Sequence, residues 1–389
     1  MDFDTIIDRR GTHSLKWDNM ESLYGVSADD GISMWVADMD FKPPQCILDA
    51  VTDMGEHGIY GYFGDYGAYN SAIIWWMENR HGWSVQPDWI FTTHGLVNGT
   101  GMCVDAFTQP GDGVVLFTPV YHAFAKVITA AGRKVVECEM VNTAGRYSLD
   151  FATYDAQMTG NEKMLILCSP HNPSGRVWTR AELQGIADFA KRHDLVLVSD
   201  EIHHDLVFPG NTHIPMAKID GIEDRLVMMT ATTKTFNIAG SHSGNVIIPD
   251  PVLRAKFSLR MAALGLSANS FGLVMATAAY TPEGATWVDA VVDYLDGNRK
   301  LFDEGINAIP GLASMEMEST YLAWVGFDDT GMSREEFYQR VQEGAKIAAN
   351  HGPTFGKGGE NFMRFNIATP RARIVEAVER MHKAFADLQ

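Results

Sequence analysis

Cationic side chains are scarce in this 389-residue chain: 31 Lys and Arg stand against 49 Asp and Glu, a formal net charge of −18. With no basic stripe to neutralise phosphates, nucleic acid and anionic membrane are not expected partners. Cysteine is also rare. Cys46, Cys103, Cys138 and Cys168 fall in no CxxC or Cys/His spacing, which argues against structural zinc and a disulfide framework and suits small buried hydrophobes in a reducing compartment. No apolar run reaches the ~18 residues of a membrane span. The opening Met1-Asp-Phe-Asp-Thr5 is acidic where a signal peptide is basic, so the expected location is the cytoplasm. Repeats and low-complexity tracts are missing as well.

What the chain does contain is ordinary globular material, 46% apolar and 11% aromatic, and enough length for two or three structural units. Its middle alternates β-branched runs with helix-period segments, the pattern of an α/β protein with a mostly parallel sheet. Seven runs read as strands: 89–93, 114–118, 134–138, 163–168, 195–199, 226–230 and 245–248. They are nearly continuous in apolar residues, as strands covered on both faces are. Thr179 and Glu182 form a capping box that predicts a helix to about Arg192. From about Pro282 the pattern becomes a long helix, a strand pair near Met315 and 321–327, a helix from Ser333, a strand at 362–367 and a last helix. The expected organisation is a large unit at 46–281 and a smaller α+β unit made of 1–45 with 282–389.

Candidate chemistry clusters after the strands. Gly95-Leu-Val-Asn-Gly-Thr-Gly101 is a glycine-bearing strand-to-helix turn, a place where free amides and the helix dipole meet an anion. It is not a dinucleotide fingerprint, because its spacing is G-x-x-x-G-x-G and residues 114–136 hold no acid. A single phosphate fits it better. Ser169-Pro-His-Asn-Pro-Ser-Gly175 is a polar turn at a sheet's carboxyl edge, where open α/β sheets bind ligands. The buried run 195–199 ends in Asp200, a carboxylate that needs a cation or a cap. Adjacent His203 and His204 point in different directions and find no third ligand at suitable spacing, so no metal is expected. Lys234 follows the sixth strand among hydroxyls, and Arg364 lies inside an apolar strand, where its guanidinium calls for a carboxylate partner, structural or substrate.

Asn172, Asp200, Lys234 and Arg364, in that order with gaps of 28, 34 and 130 residues, together resemble the signature of fold type I pyridoxal phosphate enzymes of the class I/II aminotransferase fold. Met34-Trp-Val-Ala-Asp-Met-Asp-Phe41, His57-Gly-Ile-Tyr-Gly-Tyr62, Asn79-Arg-His-Gly-Trp83, Ser199-Asp-Glu-Ile-His203 and Lys234-Thr-Phe-Asn-Ile-Ala239 resemble the MalY/PatB-type cystathionine β-lyases. The likeness runs from Arg10 to Arg364. It implies a homodimer with shared sites, pyridoxal 5′-phosphate as cofactor, and a role for each matched residue. Lys234 would carry the link to the cofactor aldehyde and then move the Cα proton. Asp200 would face the pyridine nitrogen, Asn172 would bond the ring oxygen, and Tyr121 would stack on the ring. His203 would lie beside the cofactor. The amides near Leu96 and Val97, with Thr232 and Thr233, would hold the phosphate, and Tyr62 would reach the neighbouring subunit's phosphate. Arg364 would clamp the substrate carboxylate, with Trp35 and Val36 beside the substrate.

Three places depart from that pattern: Thr232 and Thr233 stand where relatives commonly have serine, His94 and Asn98 flank the phosphate turn, and Ser241-His242 follow Gly240. The implied activity is cleavage of L-cystathionine or other cysteine S-conjugates to pyruvate, ammonia and a thiol. An aminotransferase shares most of the chemistry, and a pyridoxal-phosphate-binding regulatory protein is a third reading.

Overall fold

The computed structural model describes residues 1–388. Its main sheet has seven strands: β1 Ile90–Thr93, β2 Gly113–Thr118, β3 Lys134–Glu139, β4 Glu162–Cys168, β5 Val196–Asp200, β6 Leu226–Thr230 and β7 Gly244–Ile247. Their spatial order is β1-β7-β6-β5-β4-β2-β3. Every residue of β2, β6 and β7 is buried, which is why these runs carry no polar alternation. The predicted strands agree with the observed ones to within a residue at each end. The pairing is parallel except at β7, which runs antiparallel to both β1 and β6. That reversal lets residues 231–243 return from β6 to its neighbour without a crossover helix, leaving the connection free to carry a side chain into the site.

Of the helices α1 Gln45–His57, α2 Gly67–His81, α3 Leu96–Phe107 and α4 Arg180–Arg192, α3 and α4 pack on this sheet, while α1 and α2 pack against the helix Ser270–Ala279. The capping box forms as expected: Thr179 accepts from the Glu182 amide and Glu182 reaches back to Thr179. α5 Pro282–Asn307 then leads to a second, antiparallel sheet of β8 Ala313–Ser314, β9 Leu322–Gly326, β10 Asn350–His351 and β11 Phe362–Asn366, in the order β8-β9-β11-β10. α6 Arg371–Ala384 packs along α5. The turn-rich N-terminal stretch adds a short strand at Ile32–Ser33, parallel to Ile347–Ala348. It therefore joins the C-terminal part, and the backbone after it, residues 34–40, runs on toward the carboxyl edge of the main sheet through contacts with Asn366 and Asn237.

Candidate active site

The carboxyl ends of β4, β5 and β6, the first turn of α3 and residue 37 enclose a cavity of about 220 Å³. Lys234, Asp200, Asn172, Tyr121, His203, Leu96, Val97 and Thr233 all line it. Residues spread over 138 positions of sequence are thus gathered at one sheet edge.

Lys234 comes from a single helical turn, Thr232–Thr235, directly after β6. Its Nζ donates to the Ala37 carbonyl at 2.6 Å. Burial brings its pKa down to about 8; Asp38 and Asp200 favour the cation, while Arg364 opposes it. An amine in that range is neutral in a usable fraction near neutral pH, as a nucleophile or base must be.

Asp200 ends β5 and is buried. Its Oδ1 accepts from the Ile202 amide at 3.1 Å, and among the described residues no Lys, Arg or His forms an ion pair with it. Burial is the largest influence and pushes its pKa up to about 7, against the Ile202 bond and the Lys234 charge. A carboxylate so placed calls for a cation or N–H inside the cavity.

Arg364 lies in β11, opposite Trp324 and Asn350. Its Nη1 donates to Asn172 Oδ1 at 2.9 Å, and its Nη2 to the Trp35 carbonyl at 2.8 Å and Asn350 Oδ1 at 2.6 Å. Its Nε is buried with no hydrogen-bond partner among the described residues, and burial lowers its pKa to about 10. All of its acceptors are neutral. The carboxylate that a buried guanidinium calls for is not supplied by the described residues, which leaves it to a ligand.

At the other end of the cavity Gly95 stands at φ 84°, ψ 166°, a conformation essentially reserved for glycine. It turns the chain so that α3 begins at Leu96 with its first amides free of intrahelical partners and its positive end toward the cavity. Thr233 lines the cavity, whereas Thr232 is buried and does not line it. His203 presents a buried Nδ1 with no hydrogen-bond partner among the described residues, and burial keeps its pKa well below the usual histidine range. His204 points away, stacking on His81 at 4.1 Å.

Other predicted residues act at one remove. Trp35 and Val36 contribute carbonyls, to Arg364 and Asn366 respectively, and the residue of that stretch that lines the cavity is Ala37. Tyr62 is fully exposed and lies outside this chain's cavity. Of the departures, His94 and His242 line the cavity, while Asn98 caps the His94 amide at 3.1 Å.

Sequence reasoning missed Ala37, Tyr321, Asn350 and Asn237. Tyr321 donates to the Ala37 carbonyl that also receives Lys234, at 3.0 Å, and Asn350 holds Arg364. Asn237 exchanges three bonds of 2.7–2.9 Å with Met39 and Phe41 and so fixes the segment bearing Ala37 beside the Lys234 turn. Asn237 stood within the Lys234-Thr-Phe-Asn motif and Ala37 within Met34-Trp-Val-Ala, though neither was singled out; Tyr321 and Asn350 offered no pattern.

The model of aminotransferase class I and II matches residues 29–381. The chain belongs to that family. Within the aminotransferase class I and II family it is 37% identical to cystathionine β-lyase PatB of Bacillus subtilis (strain 168), covering 99% of this chain and 100% of that protein. Cystalysin from Treponema denticola, a structure containing pyridoxal 5′-phosphate, superposes with a TM-score of 0.94 at 37% identity, over 100% of this chain and 99% of that one. A pyridoxal-phosphate-bound putative aminotransferase from Clostridium difficile 630 superposes with a TM-score of 0.95 at 35% identity, over 99% of both chains. The family likeness thus spans both sheets and every residue of the site.

Proposed function

We propose that this chain binds pyridoxal 5′-phosphate in the cavity and acts as a carbon–sulfur β-lyase, with L-cystathionine the first substrate and other cysteine S-conjugates behind it. The observation that carries the proposal is the convergence of three buried charged groups: Lys234 as a tuned amine, Asp200 without an ion-pair partner, and Arg364 with neutral acceptors alone. A pyridinium N–H meets the need of Asp200, a phosphate the free amides at Leu96 and Val97, and an amino-acid carboxylate the need of Arg364.

When bound, pyridoxal phosphate supplies an electron sink for negative charge at the substrate Cα. Lys234 would hold the cofactor covalently and, once displaced by the substrate amine, its free amine would take the Cα proton, a base of suitable pKa beside the Ala37 carbonyl. Asp200 keeps a proton at the pyridine nitrogen. Asn172, whose Oδ1 is occupied by Arg364, would offer its NH₂ group to the ring oxygen, and Tyr121, which lines the cavity, would stack on the ring. Arg364 orients the substrate through its carboxylate so that the Cα proton faces Lys234. The net reaction consumes water and yields pyruvate, ammonia and the thiol.

The family's aminotransferases give a second reading. Incubation of purified protein with L-cystathionine and no keto-acid acceptor separates the two. Pyruvate and thiol in equal amounts over many turnovers support the lyase; a keto acid formed only with an added acceptor, without thiol, supports transamination.

The same proposal includes a cytoplasmic homodimer in which Tyr62 reaches the neighbouring site; the full exposure of Tyr62 and the exposed Ile59 and Tyr60 beside it support this. No described helix is long and apolar enough to cross a membrane. It also includes the division into 46–281 and 1–45 with 282–389, supported by the pairing of Ile32–Ser33 with Ile347–Ala348.

A further inference from the structure

Behind the cavity lies a second group of buried polar side chains. Asp205, five residues beyond Asp200, accepts through Oδ1 from Trp76 Nε1 at 2.9 Å and from His81 Nε2 at 2.8 Å. Through Oδ2 it accepts from Thr235 Oγ1 at 2.8 Å and faces His204 Nε2 at 3.2 Å. None of this machinery touches the cavity.

Histidines and carboxylates so close together suggest a metal centre, but their orientation speaks against one. The His81 and His204 rings stack with planes 21° apart, so their in-plane lone pairs run side by side instead of converging on an ion. The neighbouring Glu201 is already engaged by His213 at 2.8 Å, the Met216 amide at 2.8 Å and Ser199 at 3.0 Å. The arrangement is a hydrogen-bonded anchor with Asp205 at its centre.

What it anchors is informative. Trp76 and His81 belong to α2, Asp205 to the turn after β5, and Thr235 to the turn bearing Lys234. That last turn is only four residues long, too short to hold its own shape through backbone bonds. We propose that the Thr235 hydroxyl bond to Asp205 is a positioning contact for Lys234: it locks the lysine turn to the Asp200 turn and to α2, so that amine and carboxylate keep a fixed separation across the cavity. The geometry suits the task, because a carboxylate with donors on both oxygens has no freedom to rotate, and each donor is itself packed. The inference rests on the proposed lyase function for its kinetic consequence, though not for its structural one.

The test compares Thr235→Val, which deletes the hydroxyl at nearly constant volume, with Thr235→Ser, which keeps it, in the purified cofactor-loaded protein. Hydrogen exchange followed by mass spectrometry should show faster exchange in Thr235→Val confined to the segment after β6, with Thr235→Ser close to wild type. With L-cystathionine, Thr235→Val should lose about tenfold to a hundredfold in kcat, the scale of a small misplacement, with KM and bound cofactor within about twofold of wild type, and Thr235→Ser should restore the rate. Wild-type exchange in that segment would overturn the proposal, as would exchange raised uniformly over the whole chain. If Thr235→Val does not fold, Thr235→Ala gives the same readouts with a smaller side chain. A wild-type protein without lyase turnover would sink the functional reading, yet the exchange pattern would still decide whether the anchor holds the turn.

Discussion

Arg364 Nη1 and Asn172 Oδ1 meet at 2.9 Å inside the protein, joining β11 to the turn after β4 across 192 positions of sequence. The contact makes Arg364, proposed to hold the substrate carboxylate, and Asn172, proposed to hold the cofactor ring oxygen, a single hydrogen-bonded unit. The Asn172 oxygen orients one arm of the guanidinium, and that engagement leaves the amide nitrogen as the free donor.

Replacing Arg364 by Lys removes a planar fork that reaches three acceptors at once and substitutes a point charge. The expected outcome is a KM about tenfold to a hundredfold higher, the scale of a lost charge-assisted bond, with cofactor content unchanged. Steady-state kinetics and cofactor titration check it. Equal loss of cofactor would show that Arg364 acts structurally.

Asp200 predicts an inverted pH dependence in the cofactor-free protein. Its pKa rises from an ordinary value near 4 when unfolded to about 7 when folded. Between those limits the unfolded chain has released the proton and the folded chain has not, so the folded state binds more protons and this residue's contribution to stability falls as pH rises. The full cost above pH 7 is of order 4 kcal/mol. Asp200→Asn should therefore melt higher than wild type at pH 8, and the two should converge toward pH 4, while the variant loses lyase turnover. A wild-type advantage at pH 8 in cofactor-free protein would contradict the assignment.

Gly95→Ala meets no atom within 4 Å, so any effect arises from the backbone. Forcing alanine into φ 84°, ψ 166° costs about 1–3 kcal/mol or shifts the turn. Thermal melts and titration with pyridoxal phosphate should show both reduced stability and weaker binding, with Lys234 chemistry intact at saturating cofactor.

The strands and the residues that end them were legible because buried parallel strands write themselves as apolar runs, and a charge at the end of such a run stands out, as Asp200 does. The antiparallel course of β7 was not, since the run 244–247 reads the same in either direction. Ala37 escaped because its contribution is a backbone carbonyl, which any residue provides. The Asp205 anchor escaped for another reason: its partners Trp76, His81 and Thr235 lie 129, 124 and 30 positions away, and only folding brings them to one carboxylate. Arg364 was visible as a buried cation, but the neutrality of all its acceptors, which points to a ligand carboxylate, is a property of the assembled site.

The measurement that bears most directly on the account is borohydride reduction of the purified, yellow, cofactor-loaded protein followed by peptide mass mapping. The account predicts one stable pyridoxyl phosphate modification, on Lys234, absent from Lys234→Ala. Modification of a different lysine, or none in protein shown to hold the cofactor, would contradict it.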